Sequence, residues 1–472
     1  MFLVVPHCVT ETTAEIFVGA FFDEEPPEAC RLLLEPLGSD RQRDLFAGHW
    51  STLSGDGRSA IHHLRRTFSD LPPGTTFEIR LLGPGGEQLA RGSVETMPSS
   101  LPLGELGSGP DRPFTLWLSS CFYSPRAASG LEQMVKSVVR DDRIRPHLKL
   151  LAGDQVYLDF PQSKTVLFGK ERLRQHFNEV YTSSWTHPAF SELLSNGGNV
   201  FLADDHEFWN NYPDPLIPVL WELRGKDFRD HWEQLAKERI AALQSAAPLQ
   251  RRDIGGGDGR PPELSILAAQ TRIDRSRGPY RFMSDQALDE LLKWMSELQS
   301  PGVLALTQPL FVYADDMETG IPDFRQFREQ LEPALAAAKH DIVVVTGDPH
   351  FGRIGVVTYD AEGDPANGGI VEHQLIEVIA SPLTLVSALA GNAKPPQPKT
   401  FPHYGPPTKR WTIDYERFVP NYGSGNYMLS EEHAMLISFF KSDQQKLTMR
   451  VLLRLARQDT PANEWSWDTE LS

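Results

Sequence analysis

Four stretches of this 472-residue chain end an apolar run in side chains that bind protons or metals. PFTLWLSSC ends in Cys121, and LKLLAGDQVY brings Asp154, with Tyr157 three residues on. NVFLADDHE ends in Asp204, Asp205 and His206, and DIVVVTGDPH ends in Asp348 and His350. Such continuous apolar runs are those of strands buried on both faces. In an open α/β sheet the carboxyl ends of the strands line the active crevice. Four strands would therefore bring a thiol, carboxylates, a phenol and imidazoles to one rim.

Each residue alone has an ordinary structural reading. Cys121 can be a small buried hydrophobe, Asp154 a turn cap, and Asp204 or Asp205 a helix N-cap. Tyr157 can be plain core, and His350 a satisfied structural histidine. Their coincidence at one end of one sheet argues for chemistry. Clustered carboxylates repel, so they need raised pKa values or a cation between them. Oxygen donors suit hard divalent ions, while thiolate and phenolate favour a more Lewis-acidic metal such as iron. A pair of metal ions clamps the attacking and leaving oxygens of a phosphoryl transfer, and Asp154, ending a central strand, is placed to bridge them.

The elements that position these residues fall into two parts. Residues 1–97 alternate apolar and polar at period two, as in Ala14, Ile16, Val18 and Ala20 or Phe77, Ile79 and Leu81, with LPPGTT and GPGG as turns. That pattern predicts a small all-β sandwich, and LPPGTTFEIRLLGPGGEQLARGSVETMP resembles the closing strands of a fibronectin III/Ig-like domain. The Pro-, Gly- and Ser-rich stretch 98–113 reads as a linker. From 114 to 472 apolar strands alternate with amphipathic helices, which predicts layered α/β architecture. One helix carries Leu131, Met134, Val135, Val138 and Val139 on one face. A second starts at Ser284 as N-cap, and a third runs through Phe324, Phe327, Leu331 and Leu335 with a kink at Pro333. HAMLISFF and LTMRVLLRL, flanking KSDQ, predict a hairpin, and the tail NEWSWDTELS is expected to dock through its tryptophans. RDIGGGDGRPP (252–262) lacks a Walker lysine and an apolar strand leading into it, so a surface loop is expected there.

The formal net charge of −17 argues against a nucleic-acid binder that neutralises phosphates. The three cysteines, Cys8, Cys30 and Cys121, form no disulfide framework. No run of about 18 apolar residues predicts a membrane span. The first residues lack the basic region of a signal peptide, so a cytoplasmic location is expected.

The set SSC (119–121), GDQVY (153–157), DDHEFWNN (204–211) and TGDPH (346–350) resembles the PhoD-like alkaline phosphatases, a branch of the calcineurin-type metallophosphoesterases. The resemblance runs in order over most of 113–390. It includes LSILAAQTRIDRSR (264–277), FMSDQALDELLKWM (282–295) and EVIASPLT (377–384). It implies a metallophosphoesterase-type αββα sandwich behind the β domain. It also implies hydrolysis of phosphate esters, mono- or diesters, by a metal-activated water or hydroxide, with iron and calcium as cofactors and other divalent metals as alternatives. By this resemblance Cys121, Asp154 and Tyr157 look like iron ligands, Asp205 like a ligand of a second metal, and Asp348 and His350 like the final ligand pair. His206 looks like the general acid or transition-state stabiliser, with Asn211 a metal or substrate ligand. Arg126 and Arg353, near ligand loops, are candidates to bind phosphate as planar forks. Small-molecule phosphate esters or lipid headgroups are the implied substrates. A phospholipase D-type phosphodiesterase and a non-catalytic binding module on the same fold are the alternatives. Ser-Ser-Cys stands where the broad superfamily has Asp-x-His, and Pro349 removes a backbone N–H beside the expected metals.

Overall fold

The computed structural model describes residues 1–21, 26–27, 29–37, 43–46, 48–53, 59–104, 111–214, 224–256, 259–312, 319–361, 373–384, 400–402, 409–419, 421–422, 429–456 and 464–472. The period-two residues at the start form strands as expected. Phe2–Val9, Ala14–Ala20, Ile61–Phe68 and Ser51–Leu53 make one antiparallel four-stranded sheet. Arg43–Phe46, Arg31–Pro36, Thr76–Leu82 and Gln88–Glu95 make the other. Val4, Ile16, Val18, Leu32, Leu34 and Ile79 fill the space between them.

The remainder holds two larger sheets face to face. The first runs in the order Gly198–Leu202, Leu148–Ala152, Phe114–Ser119, His433–Lys441, Leu447–Leu455, Ser466–Leu471. Its first three strands are parallel, and the C-terminal hairpin adds antiparallel beside Phe114–Ser119. The second has eight strands, at whose centre Leu264–Ala269, Gly302–Ala305, Ile342–Thr346 and Leu375–Ile379 run parallel. Leu116, Leu118, Leu150 and Val200 from one sheet share a core with Val343, Val345, Ile376 and Val378 from the other.

Helices cover both outer faces. Leu131–Val139, Lys170–Trp185, Pro188–Ser195 and Lys226–Leu243 pack over Trp117, Leu151 and Phe201. Asp285–Glu297 and the turns from Ile321 to Ala336 pack over Leu267, Leu304 and Val344. The result is an αββα sandwich behind a small β domain, with the central strands of both sheets buried on both faces as their apolar runs require.

Local features follow their sequence signals closely. The Ser284 hydroxyl accepts the Ala287 N–H at 3.3 Å, capping its helix. The third helix is continuous but changes pitch, from a π-turn at Phe327–Leu331 to an α-turn at Glu332–Ala336, and Pro333 comes just after the π-turn. The tail docks as Ser466–Leu471, paired along Leu447–Leu455.

Two expectations change. The stretch 98–113 is not a free linker at its described ends. Leu101 is buried, the Lys441 N–H donates to the Pro102 carbonyl and the Gly104 N–H to the Lys441 carbonyl, each at 2.8 Å. Residues 105–110 lie outside the described ones. The expected loop at 252–262 begins inside a strand, because Leu249–Ile254 forms the edge of the eight-stranded sheet. Among the described residues no helix is long and apolar enough to cross a membrane.

Candidate metal centre

Parallel register sets the site. Leu118 pairs with Leu150, and Leu151 with Phe201, so the three strands stop together. The loops that follow are then stitched to one another by backbone hydrogen bonds. The Cys121 N–H donates to the Gly153 carbonyl (3.1 Å) and the Phe122 N–H to the Asp154 carbonyl (2.7 Å). The His206 N–H donates to Asp154 Oδ1 (3.2 Å). From the second sheet, the Asp348 N–H donates to Ser120 Oγ (3.3 Å). Two glycines make this approach possible. A Cβ on Gly153, which has φ +98°, would lie 2.5 Å from the Asp204 Cβ. A Cβ on Gly347 would lie 2.5 Å from Ser120 Oγ.

Ligand atoms of Asp154, Asp205 and His206 lie within 4.8 Å of one another, as do those of Asp154, Asp204, Asp205 and Asp348. Asp154 belongs to both groups. Cys121 Sγ is 3.5 Å from Asp154 Oδ2 and 3.6 Å from the Asp348 carbonyl. Backbone strain concentrates on the same residues. Among the described residues seven non-glycines have positive φ, and Cys121, Asp154, Asn211, Asp348 and His350 are five of them. Each such residue costs on the order of 1–3 kcal/mol, less for Asp and Asn, so their clustering at one place argues for function rather than chance.

The electrostatics suit a site that could hold cations. Burial, and then the neighbouring Asp205, push the Asp154 carboxyl well up. Burial also pushes Asp204 up, although Arg272 opposes it. Asp205 ends below its ordinary value: burial raises it, but His206, Arg272 and the Asn211 N–H outweigh that. The Cys121 thiol is pushed well up by burial and then by Asp154 and Asp348. Tyr157 is pushed well up by burial and then by Cys121. Among the described residues, Tyr157 Oη and Asp204 Oδ2 are buried with no hydrogen-bond partner. Orphaned oxygens beside mutually repelling carboxylates fit metal ions, which would supply the missing partners.

No family model and no curated protein sequence matches the chain. Among solved structures, that of PhoD superposes with a TM-score of 0.64 over 99% of this chain and 90% of its own length, at 12% identity. The chain has the PhoD fold. A redesigned β-sandwich protein covers 20% of the chain at 18% identity, TM-score 0.15, over 86% of its own length. A Bacteroides uniformis β-glucuronidase covers 96% at 8% identity, TM-score 0.22, over 61% of its own length.

Cys121, Asp154, Tyr157, Asp205, His206 and Asp348 lie near one another. His350 is buried on the Asp348 loop, its N–H on Ser381 Oγ at 3.1 Å, but it stands outside both close groups. Asn211 is half-buried and reaches the site through its backbone, its N–H donating to Asp205 Oδ2 at 2.6 Å. Arg126 is exposed in a 3-10 turn after Cys121. Arg353 departs from the expected phosphate fork. It is fully buried, ion-paired with Glu377 and donating to the Phe311 carbonyl at 2.8 Å, so its guanidinium is committed to the sheet.

Several site residues went unassigned in the sequence. Asp159 Oδ1 accepts from His206 Nδ1 at 2.8 Å, and Asp159 Oδ2 takes the Asn210 N–H at 3.1 Å. Glu207 accepts the N–H groups of Asp204 (2.8 Å), Asp154 (2.9 Å) and Gln155 (2.7 Å), clamping both acidic loops, and burial raises it to about 7. Arg272 pairs with Asp204, and Gln308 links Arg275 (2.7 Å) to Asp348 (3.1 Å). Asp159, Glu207 and both arginines sit inside or beside the quoted motifs. What hid their roles is that each acts across loops distant in the chain.

Proposed function

We propose that this chain is a metal-dependent phosphoester hydrolase. The close group of Asp154, Asp204, Asp205 and the half-buried Asp348 carries the reading, since carboxylates so near one another repel unless cations stand between them or some hold a proton. Its position on the fold of PhoD supports it. Cys121, Tyr157 and Asp154 would hold an iron-type ion, and Asp154 with the oxygen donors Asp204, Asp205 and Asp348 would hold calcium or another hard divalent ion. When bound, such ions make a water nucleophilic near neutral pH and neutralise charge on the phosphoryl oxygens. His350 would complete the set from the Asp348 loop, and Asn211 would close over the substrate. Arg126, exposed on its turn, would reach an incoming phosphate at the mouth.

His206 is the proposed proton donor to the leaving oxygen. Its contact with Asp159 supports that role. A carboxylate on Nδ1 fixes the ring so that Nε2 addresses the substrate, and the Tyr157 ring 4.2 Å away holds the plane. Inorganic phosphate would leave from a monoester, and a monoester plus alcohol from a diester. Lipid-headgroup diesters of the phospholipase D type belong on the same substrate panel.

The test is metal content by mass spectrometry on protein purified without chelators, beside Cys121→Ala, followed by phosphate release from mono- and diesters. Iron near one per chain, lost in the variant, together with turnover, is expected. No transition metal after reconstitution with iron and calcium, and no turnover, would overturn the reading in favour of a binding module.

A further inference from the structure

Two kinds of half-buried surface adjoin the carboxylate cluster. On one, Asn210, Asn211 and Asp348 are half-buried and polar, tied to the cluster through Asp159 and Asp205. On the other stand two half-buried aromatic rings, Tyr123 and Phe160. They meet at 59° with centroids 5.8 Å apart. Both rest edge-on against the buried Tyr157, at 5.4 and 5.7 Å. Phe160 lies 5.6 Å from His206 at 66°. The site's chemistry uses neither ring, and each keeps part of its surface exposed.

We infer that Tyr123 and Phe160 form a specificity wall for phosphate esters whose leaving alcohol carries a flat aromatic ring. The inference rests on the hydrolase reading for the placement of the phosphoryl group over the carboxylates. The bridging oxygen then lies at His206, and the first atoms of the leaving alcohol span the 5.6 Å to Phe160. A flat ring there meets Phe160 and Tyr123 at the separations where aromatic pairs attract through edge-to-face or offset contact, and it displaces water from their exposed surface. A cationic headgroup is the competing occupant, since ring faces also attract ammonium. The wall is an open corner of two rings, with the third buried behind them, rather than a cage closed around a cation.

The experiment uses the full chain loaded with iron and calcium and titrated with non-hydrolysable phosphonates. Benzylphosphonate is compared with cyclohexylmethylphosphonate, which has nearly the same size without a π-face, and with 2-(trimethylammonio)ethylphosphonate. Wild type is expected to bind the benzyl compound about two- to tenfold tighter than the cyclohexyl one, the worth of an aromatic pair. Phe160→Leu and Tyr123→Leu are each expected to shrink that ratio, and either variant suffices if the other fails to fold. Equal affinities in wild type, a preference that survives both substitutions, tighter binding of the ammonium compound, or no binding of any probe would overturn the inference. Phosphate release from benzyl and cyclohexylmethyl phosphate is read separately. Absence of turnover with the binding preference intact would count against the hydrolase reading and leave the wall standing.

Discussion

Asp154 takes part in both close groups of ligand atoms, in the thiol contact of Cys121 and in the N–H bond from His206. Removing its charge therefore disturbs every part of the cluster at once. Asp154→Asn is expected to lower turnover at least about a hundredfold, beyond what loss of a supporting partner costs, while circular dichroism stays unchanged. Turnover like wild type in a metal-loaded sample would end its bridging role. Glu207 acts differently, because it holds three N–H groups of the two acidic loops. Glu207→Gln keeps the shape but trades one acceptor oxygen for a donor facing those same N–H groups. Metal affinity should drop roughly 10- to 100-fold, as read by competition with a chelator. Unchanged affinity would make Glu207 a packing residue only. Arg353 is paired with Glu377 where both are fully buried. Arg353→Met leaves a buried carboxylate uncompensated, so unfolding free energy should fall by about 3–5 kcal/mol. A stable variant whose KM for phosphate esters rises would instead restore the phosphate-binding role expected from its position in the chain.

The element that matters most is the strand end. Parallel strands stopping in register place short loops side by side, and the loops can close only if some positions carry no side chain. Gly347 is such a position, with Ser120 Oγ 2.5 Å from where a Cβ would be. Gly347→Ala must separate the Asp348 loop from the Ser120–Cys121 loop. It is expected to cost metal occupancy more than overall stability, seen as reduced iron content with only a modest loss in Tm. Full occupancy would mean that the loops tolerate the separation. The motif spacing announced these loops well, because an apolar run followed by Gly-Asp is a local pattern. It could not announce that Gln308 and Arg275 brace Asp348, since those residues follow other strands and meet it only after the sheet assembles.

At the scale of the whole molecule, the β domain is fused to the larger one. Asn199 donates to the Pro6 carbonyl at 2.7 Å, the Gly197 N–H to the Ser93 carbonyl at 2.8 Å, and Arg65 to the Gln244 carbonyl at 2.7 Å. Phe17 stacks edge-on against Trp185 at 5.5 Å. His147 lies in this seam between Glu95 and the Thr115 N–H. Burial, and then Arg112, holds it down to about 4 despite Glu95, and burial likewise holds His63 and His433 to about 4. The unfolded chain then binds more protons than the folded one between pH about 4 and 6.5. Stability contributed by the neutral imidazoles is present above that window and lost as pH falls through it. His147→Asn removes one of these groups, so its Tm should fall less than that of wild type between pH 7 and 4.5. Equal slopes would mean that His147 does not titrate on unfolding.

By itself the sequence determined the β character of residues 1–97, the strands that lead into the acidic loops, the helices Leu131–Val139 and Asp285–Glu297, the hairpin, and the residue types of the carboxylate cluster. Those signals are local: period-two and period-3.6 burial, a cap at Ser284, acids just past apolar runs. Tertiary structure decided what depends on residues far apart in the chain. It put Arg272 against Asp204, turned Arg353 into the sheet, and set Phe160 beside His206 with Tyr123 against Phe160. A charge or a ring carries its type in the sequence, but which partner it meets is fixed only by packing two sheets face to face.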